Sequence, residues 1–385
     1  MKKCLLSLLA FLCAFILALS PLATKAHAAE FTDTVNAKSA IVMEASSGAV
    51  LYEYNADEPL PPASVTKVMT ILLVLEAVDE KKIAITDTVT VSDYASSMGG
   101  SQVYLKAGEE MSVDDLLKSV VVASANDAAV ALAEYVAGSE GTFVSMMNTR
   151  AAELGMKNTV FKNTNGLDDS DMGHVTSARD IAIMSREVLR HELIFKYSTI
   201  WMDSIRGGEF GLTNTNRLVR FYRGCNGLKT GSTSKAGFCI SATAKRDDMQ
   251  LICVTMAAPT KDARNALTAA LLDWGFANYT CAKMDAGTYE HYTVTGGKED
   301  SCTLTYDAAS FVVAKGDAGR IQAEVTLGEA LTAPIKEGEA VGEIKYTLDG
   351  EVLGSVEICA QETVEEIGYF TLFLRMLSVF LGGHF

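Results

Sequence analysis

At 385 residues, 49% of them hydrophobic and 21% charged, the chain is long enough for two domains with real cores, which excludes a disordered polypeptide. With 33 Lys and Arg against 48 Asp and Glu the formal charge is −15, and so acidic an exterior argues against nucleic acid as a partner.

Residues 1–28 read as a secretory signal: Lys2 and Lys3, the apolar run Cys4 to Leu19, then small residues ending Ala26-His27-Ala28. The run is short for a membrane span and an Ala-x-Ala site follows it, so the mature protein is expected outside the cytoplasm. Loss of Lys2, Lys3 and Lys25 takes the formal charge from −15 to −18. The cysteines left after this cut are Cys225, Cys239, Cys253, Cys281, Cys302 and Cys359. They lack the close C-x-x-C spacing of a zinc site, so no metal and no cofactor is expected; six thiols allow 15 pairings, none of which the sequence selects.

In chain order, Ser39 to Ala45 and Ala49 to Tyr54 are apolar-rich runs around Ser46-Ser47-Gly48, a predicted β-hairpin. Pro61-Pro62 then precede Ala63-Ser64-Val65-Thr66-Lys67 and the apolar stretch Val68 to Val78, which predicts a helix buried all round that starts at Ser64. Ser64 and Lys67 are one turn apart on one face, within hydrogen-bond reach. A serine attacks only when a neighbour takes its proton, and a lysine does so near neutrality only if burial or a second cation lowers its pKa. Ser-x-x-Lys also arises by chance and gains weight only from its context.

Val89 to Leu105 is rich in Ser, Gly and Tyr. Met111 to Val121 predicts a helix with Ser112 as its cap, and Ser124-Ala125-Asn126-Asp127 introduces the alanine-rich helix Ala128 to Ala137. Gly141 to Leu154 reads as a helix, Asn158 to Asp171 as a loop and Thr176 to Leu189 as a helix. Three strands follow, Gly224 to Lys229, Phe238 to Ala244 and Leu251 to Met256, the last two joined through Lys245-Arg246-Asp247-Asp248, and Ala263 to Phe276 closes this half as a helix. The pattern predicts an α/β (α+β) domain, an antiparallel sheet flanked by helices, over 29–278. From 279 to 364, alternating Thr, Val, Tyr and Ile with Gly turns predict a small all-β domain. Residues 365–385 end the chain: beyond Glu365 and Glu366 the tail Ile367 to Phe385 is mostly apolar with Arg375 as its charged side chain, read as a helix in the membrane surface with Arg375 at the headgroups, or else as a helix packed on the protein.

Ser64-Val65-Thr66-Lys67, Ser124-Ala125-Asn126 and Lys229-Thr230-Gly231, in this order with the first two at helix starts and the third on an edge-like strand, match the set of penicillin-binding proteins and serine β-lactamases. The chain resembles the low-molecular-mass penicillin-binding proteins that are serine D-alanyl-D-alanine carboxypeptidases. The likeness spans nearly all of the mature chain and takes in Asn163-Thr164-Asn165-Gly166-Leu167, Thr176-Ser177-Ala178-Arg179-Asp180, Gly227-Leu228-Lys229-Thr230-Gly231, Ala236-Gly237-Phe238 and Trp274-Gly275-Phe276. That family also has a β-rich second domain and an amphipathic C-terminal anchor.

The resemblance implies a division of roles. Ser64 attacks the carbonyl between two terminal D-alanines of a peptidoglycan stem peptide, and Lys67 is the base, its proton affinity lowered by Lys229 and by exclusion of water. Ser124 relays a proton to the leaving amine, and Asn126 holds the peptide's amide and orients Lys67. Backbone N–H groups of Ser64 and Ser232 meet the oxyanion. Lys229, Thr230 and Gly231 face the substrate's carboxylate, where Arg264 adds a positive group unless it is a surface residue at a helix start. β-Lactam antibiotics are the implied covalent inhibitors, and the outer face of the cytoplasmic membrane the implied place.

The chain departs from many relatives in carrying Cys225-Asn226 where they have Asp before the Gly-x-Lys-Thr-Gly strand, so a local ion pair is missing. Cys225 is read as a buried filler rather than a reactive thiol. His174 and His191 are read as structural, since Lys67 supplies the base and neither has an evident carboxylate orienter. The competing functions are a β-lactamase, for which Glu153 to Asn158 has the wrong spacing to place a deacylating carboxylate, and a non-catalytic wall-binding or sensor module.

Overall fold

Both faces of the central sheet are covered, which is why its strands read as unbroken apolar runs although every pairing is antiparallel. The structure, a computed structural model, describes residues 29–167 and 173–380. The predicted signal 1–28 lies outside these residues, as do 168–172 of the predicted loop and 381–385 of the tail.

The sheet comprises β1 (Ser39–Glu44), β2 (Val50–Tyr54), β3 (Cys225–Thr233), β4 (Gly237–Arg246) and β5 (Met249–Ala258), in the order β2-β1-β5-β4-β3. The Lys-Thr-Gly strand β3 is therefore an edge. Alternate residues separate cleanly: Ile252, Val254 and Met256 join the core of the helical half, whereas Leu251 and Cys253 pack with Leu267, Leu271, Leu272 and Phe276. Those four belong to a helix that packs on the opposite face.

The helical half contains α1 (Lys67–Asp79), α2 (Val113–Val122), α3 (Asn126–Ala137), α4 (Glu140–Glu153) and α5 (Ala178–Val188); α6 (Lys261–Asn278) is the helix on the far face. Every residue of α1 from Lys67 to Leu75 is buried, as its uniformly apolar sequence predicts. Polar caps fix the starts of α2, α5 and α6: Ser112 accepts from the Asp115 N–H at 3.1 Å, Ser177 from Asp180 at 3.1 Å and Thr260 from Ala263 at 3.0 Å. Because Ser112 is extended, Met111 lies not in the helix, where the sequence placed it, but in a short strand, Glu110–Ser112, paired with Thr88–Thr90.

Beyond α6, Tyr279–Met284 pairs antiparallel with Ala309–Ala314. The other strands, β6 (Gly287–Thr295), β7 (Ser301–Tyr306), β8 (Gln322–Leu327), β9 (Leu331–Thr332), β10 (Ala340–Leu348) and β11 (Glu351–Ala360), form a sheet ordered β8-β10-β11-β7-β6-β9 around its own core. The predicted antiparallel sheet flanked by helices and the all-β region are both present. The chain then forms α7 (Tyr369–Phe380), whose Tyr369, Phe370 and Phe380 are 96%, 76% and 89% exposed. Arg375 does not reach outward: its guanidinium donates to Asp300 at 2.8 Å and to the Lys298 carbonyl, where a carboxylate beside the helix offers a better partner than solvent. Among the described residues no helix is long and apolar enough to cross a membrane.

Candidate active site

Pro61 and Pro62 deliver the chain into a 3-10 turn, Ala63–Thr66, from which α1 continues. The turn leaves Ser64 half-buried at the surface of the helical half and drives Lys67 inside it. Lys67 Nζ donates to Ser64 Oγ at 2.9 Å, to Asn126 Oδ1 at 2.5 Å and to the carbonyl of Asn165 at 2.8 Å.

The Asn126 amide is oriented by its other end. Its Nδ2 donates to the Gly99 carbonyl at 2.7 Å, which leaves the oxygen to face Lys67, and its backbone N–H is bound by the Ser101 carbonyl. Gly100 has φ +77° and a Cβ there would lie 2.8 Å from Asn126 Nδ2, so this wrap over the start of α3 needs glycine. Ser124, two residues earlier, is buried with φ +63° at the junction of α2 and α3.

β3 is pressed against the nucleophile's turn. A Cβ on Gly231 would come within 2.7 Å of the Pro62 carbonyl and 2.8 Å of the Ser64 nitrogen, so a side chain there would push strand and turn apart. Lys229 is fully buried and donates to the Thr230 carbonyl at 2.8 Å, Thr230 Oγ1 donates to Thr215 Oγ1 at 2.9 Å, and Ser232 is exposed beyond them. Arg264 is not the surface residue its position at a helix start allowed. It is 2% exposed, donating to the Cys239 carbonyl and to Asn265 Oδ1, because α6 lays its first turns on β4.

The electrostatics follow from packing three cations in one place. Burial, and then the charge of Lys229, hold the Lys67 amine well below the usual lysine range, while Asp127 pulls the other way. Burial and then Arg264 bring Lys229 down to about 7, and burial brings Arg264 down to about 10. Among the described residues none of the three is ion-paired. The arrangement offers a hydroxyl touching a lysine that can shed its proton, beside a positive pocket that suits a carboxylate. Ser64, Lys67, Asn126, Lys229, Thr230, Gly231 and Arg264 are thus linked by contact, neighbouring strand or mutual charge.

Sequence reasoning missed two participants. The Asn165 carbonyl is a ligand of Lys67, in a loop noted only for its likeness; Gly166 next to it has φ +78°, and a Cβ there would fall 1.9 Å from the Ala63 carbonyl. Asp127 is the second, a buried carboxylate directly after the Ser-x-Asn triplet.

The remaining candidates are engaged with other partners. Where an ion pair was expected to be missing, hydroxyls fill in: Thr243 donates to Asn226 Oδ1 at 2.8 Å and Ser198 to the Asn226 carbonyl at 2.6 Å. Burial pushes the Cys225 thiol up to about 11, which suits a filler and not a nucleophile, and all six described cysteines are free thiols. His191 does have a carboxylate partner, contrary to expectation: its Nδ1 lies 2.6 Å from Asp79 Oδ2 where the end of α1 meets the turn after α5. His174 Nδ1 accepts the Lys162 N–H at 3.1 Å, and its Nε2 lies 2.7 Å from Thr66 Oγ1. Glu153 is ion-paired with Arg150 at 3.1 Å on α4.

Two family profiles match: the one described as D-alanyl-D-alanine carboxypeptidase over residues 23–260, and the one described as penicillin-binding protein 5, C-terminal domain, over 284–366. The chain is 42% identical to D-alanyl-D-alanine carboxypeptidase DacF of Bacillus subtilis, over 89% of each chain. Penicillin binding protein 5 of Haemophilus influenzae superposes with a TM-score of 0.76 at 32% identity, covering 88% of this chain and 100% of that one. Penicillin-binding protein D2 of Listeria monocytogenes, solved in its cefotaxime-bound form, gives a TM-score of 0.60 at 31% identity over 64% of this chain and 100% of its own.

Proposed function

The chain belongs to the D-alanyl-D-alanine carboxypeptidase family and is a serine peptidase of that activity; from this premise we propose how its residues divide the work. Ser64 Oγ attacks the carbonyl of the penultimate D-alanine while its proton passes to Lys67 Nζ. The tetrahedral oxyanion rests on the backbone N–H groups of Ser64 and Ser232. It collapses with cleavage of the C–N bond, the departing D-alanine amine takes a proton relayed through Ser124, and water then hydrolyses the ester. Lys229, Thr230 and Arg264 receive the terminal carboxylate, with Gly231 letting β3 approach, and Asn126 holds the acyl side of the peptide. The observation that carries this reading is the 2.9 Å contact between Lys67 Nζ and Ser64 Oγ in a buried, cation-rich setting.

Penicillin is a covalent inhibitor by the same attack, because its strained amide has no departing group that can leave the site. Mass spectrometry of the penicillin-labelled, proteolysed protein is expected to find the intact β-lactam mass on the one peptide containing Ser64. Label on another residue refutes Ser64 as nucleophile. A β-lactamase is not favoured: Glu153 is engaged with Arg150, and the carboxylate beside Lys67 is Asp127, which is occupied by backbone N–H groups. A non-catalytic wall-binding module would be acylated yet release no D-alanine from any wall peptide.

The signal peptide places the enzyme outside the cytoplasm, where its substrate is, and α7 lies in the membrane surface with its aromatic and aliphatic face in the headgroup–acyl boundary. The exposure of Tyr369, Phe370, Phe373, Met376 and Phe380 supports this. The full mature chain is expected to float with lipid vesicles and the chain lacking 367–385 to stay in the soluble fraction; equal flotation of the two rules the anchor out.

A further inference from the structure

Asp127 is fully buried in the first turn of α3, immediately after Asn126. Its carboxylate accepts from the backbone N–H groups of Val103 (3.1 Å), Leu105 (3.0 Å) and Ala128 (2.9 Å) and, among the described residues, forms no ion pair. A carboxylate is an acceptor only, so it satisfies three donors that an amide, with its own NH₂, would satisfy at the cost of a clash of hydrogens. The helix start adds its partial positive charge. The segment it binds follows directly on Gly99 and Ser101, whose carbonyls hold the Asn126 side chain and backbone. From outside, Arg206 clamps the same segment through the Val103 and Tyr104 carbonyls and is itself paired with Glu109.

We propose that Asp127 is a positioning residue for the reaction, which locks the Gly99–Leu105 wrap that aims Asn126 at Lys67 and sets, by its buried charge, how strongly Lys67 holds a proton. The charged groups facing Lys67 are Lys229 on β3 and Asp127 on α3; those facing Asp127 include Lys67 and Arg206. Burial and Lys229 both weaken Lys67 as a base, and a base works best with a pKa near the working pH. Asp127 is the group that opposes them. This inference rests on the reading of Lys67 as the base for Ser64.

The test is the second-order rate of acylation by a fluorescent penicillin, measured from pH 5 to 10 on the full mature chain and its D127N and D127E variants, with thermal unfolding followed in parallel. The rate rises with pH as Lys67 becomes neutral. Removing the negative charge lowers the Lys67 pKa, so the acid limb of D127N is expected about one pH unit below that of the parent. D127E keeps the charge and is expected to keep the limb, whatever its plateau rate. A D127N limb at the parent's position overturns the electrostatic part of the proposal, and a plateau that is also unchanged overturns the positioning part with it. So does a D127N chain that no longer unfolds cooperatively, since Asp127 would then serve the fold alone. K67A separates the two layers: acylation by K67A with the parent's profile sinks the Lys67 reading itself, whereas an inactive K67A beside an unmoved D127N limb and plateau sinks only the role of Asp127.

Discussion

Ser64→Ala is expected to lower D-alanine release from a peptide ending in D-Ala-D-Ala by at least about 10⁴-fold and to abolish covalent labelling by penicillin. The substitution removes one oxygen that is half-buried and bound to the Lys67 amine, and leaves the turn, α1 and β3 with nothing larger to accommodate. Stability should therefore change by less than about 1 kcal/mol, since one hydrogen bond of modest net value is lost. Binding should survive as well, because Lys229, Thr230 and Arg264 are untouched. The informative measurement is thus the pair of assays on one folded sample: release of D-alanine and gel fluorescence of the penicillin adduct. Labelling retained by the alanine variant would transfer the nucleophile to another residue.

Lys67→Ala is expected to cost about 10³-fold or more in acylation while leaving Ser64 in place. The physical reason is specific to this pocket. Among the described residues the amine is the sole side-chain partner of the Ser64 hydroxyl, and its removal strands the Asn126 oxygen and the Asn165 carbonyl in a buried space. Two unsatisfied acceptors cost about 1–3 kcal/mol each, which a water filling the space would offset in part. Against that, Lys229, which burial and Arg264 hold at about 7, stays in place beside Arg264. A substrate analogue ending in a free carboxylate should consequently bind K67A no more weakly than the parent at about pH 6, below the value of about 7 at which Lys229 loses its charge. Calorimetric titration reads this directly, and weaker binding would mean that Lys67 contributes to the ground-state complex.

Much of the catalytic half was legible because its signals are local. Two prolines before an apolar stretch and Ser112 ahead of Asp115 each fix an element boundary within four residues. Where the reading slipped, the deciding contact came from far along the chain. Met111 joins a strand because Thr88–Thr90 is there to pair with it, and His191 finds Asp79 only when α1 and α5 lie side by side. Arg375 likewise turns to Asp300, 75 residues away.

By itself the amino-acid order determined which chemistry is present: a hydroxyl and an amine one turn apart on a buried helix, a serine and an asparagine at another helix start, and a lysine ahead of Thr-Gly on an edge strand. Such short-range spacings survive in any fold that keeps the elements, so they can be read along one dimension. Tertiary structure alone decided the proton affinities and the supports. Lys67 is weakened by Lys229, which follows 162 positions later, and is held from the side by Asn165 and opposed by Asp127. Desolvation and Coulomb interaction depend on distance through space, and only the packing of β3, α3 and the Asn163–Leu167 loop around the Ser64 turn sets those distances.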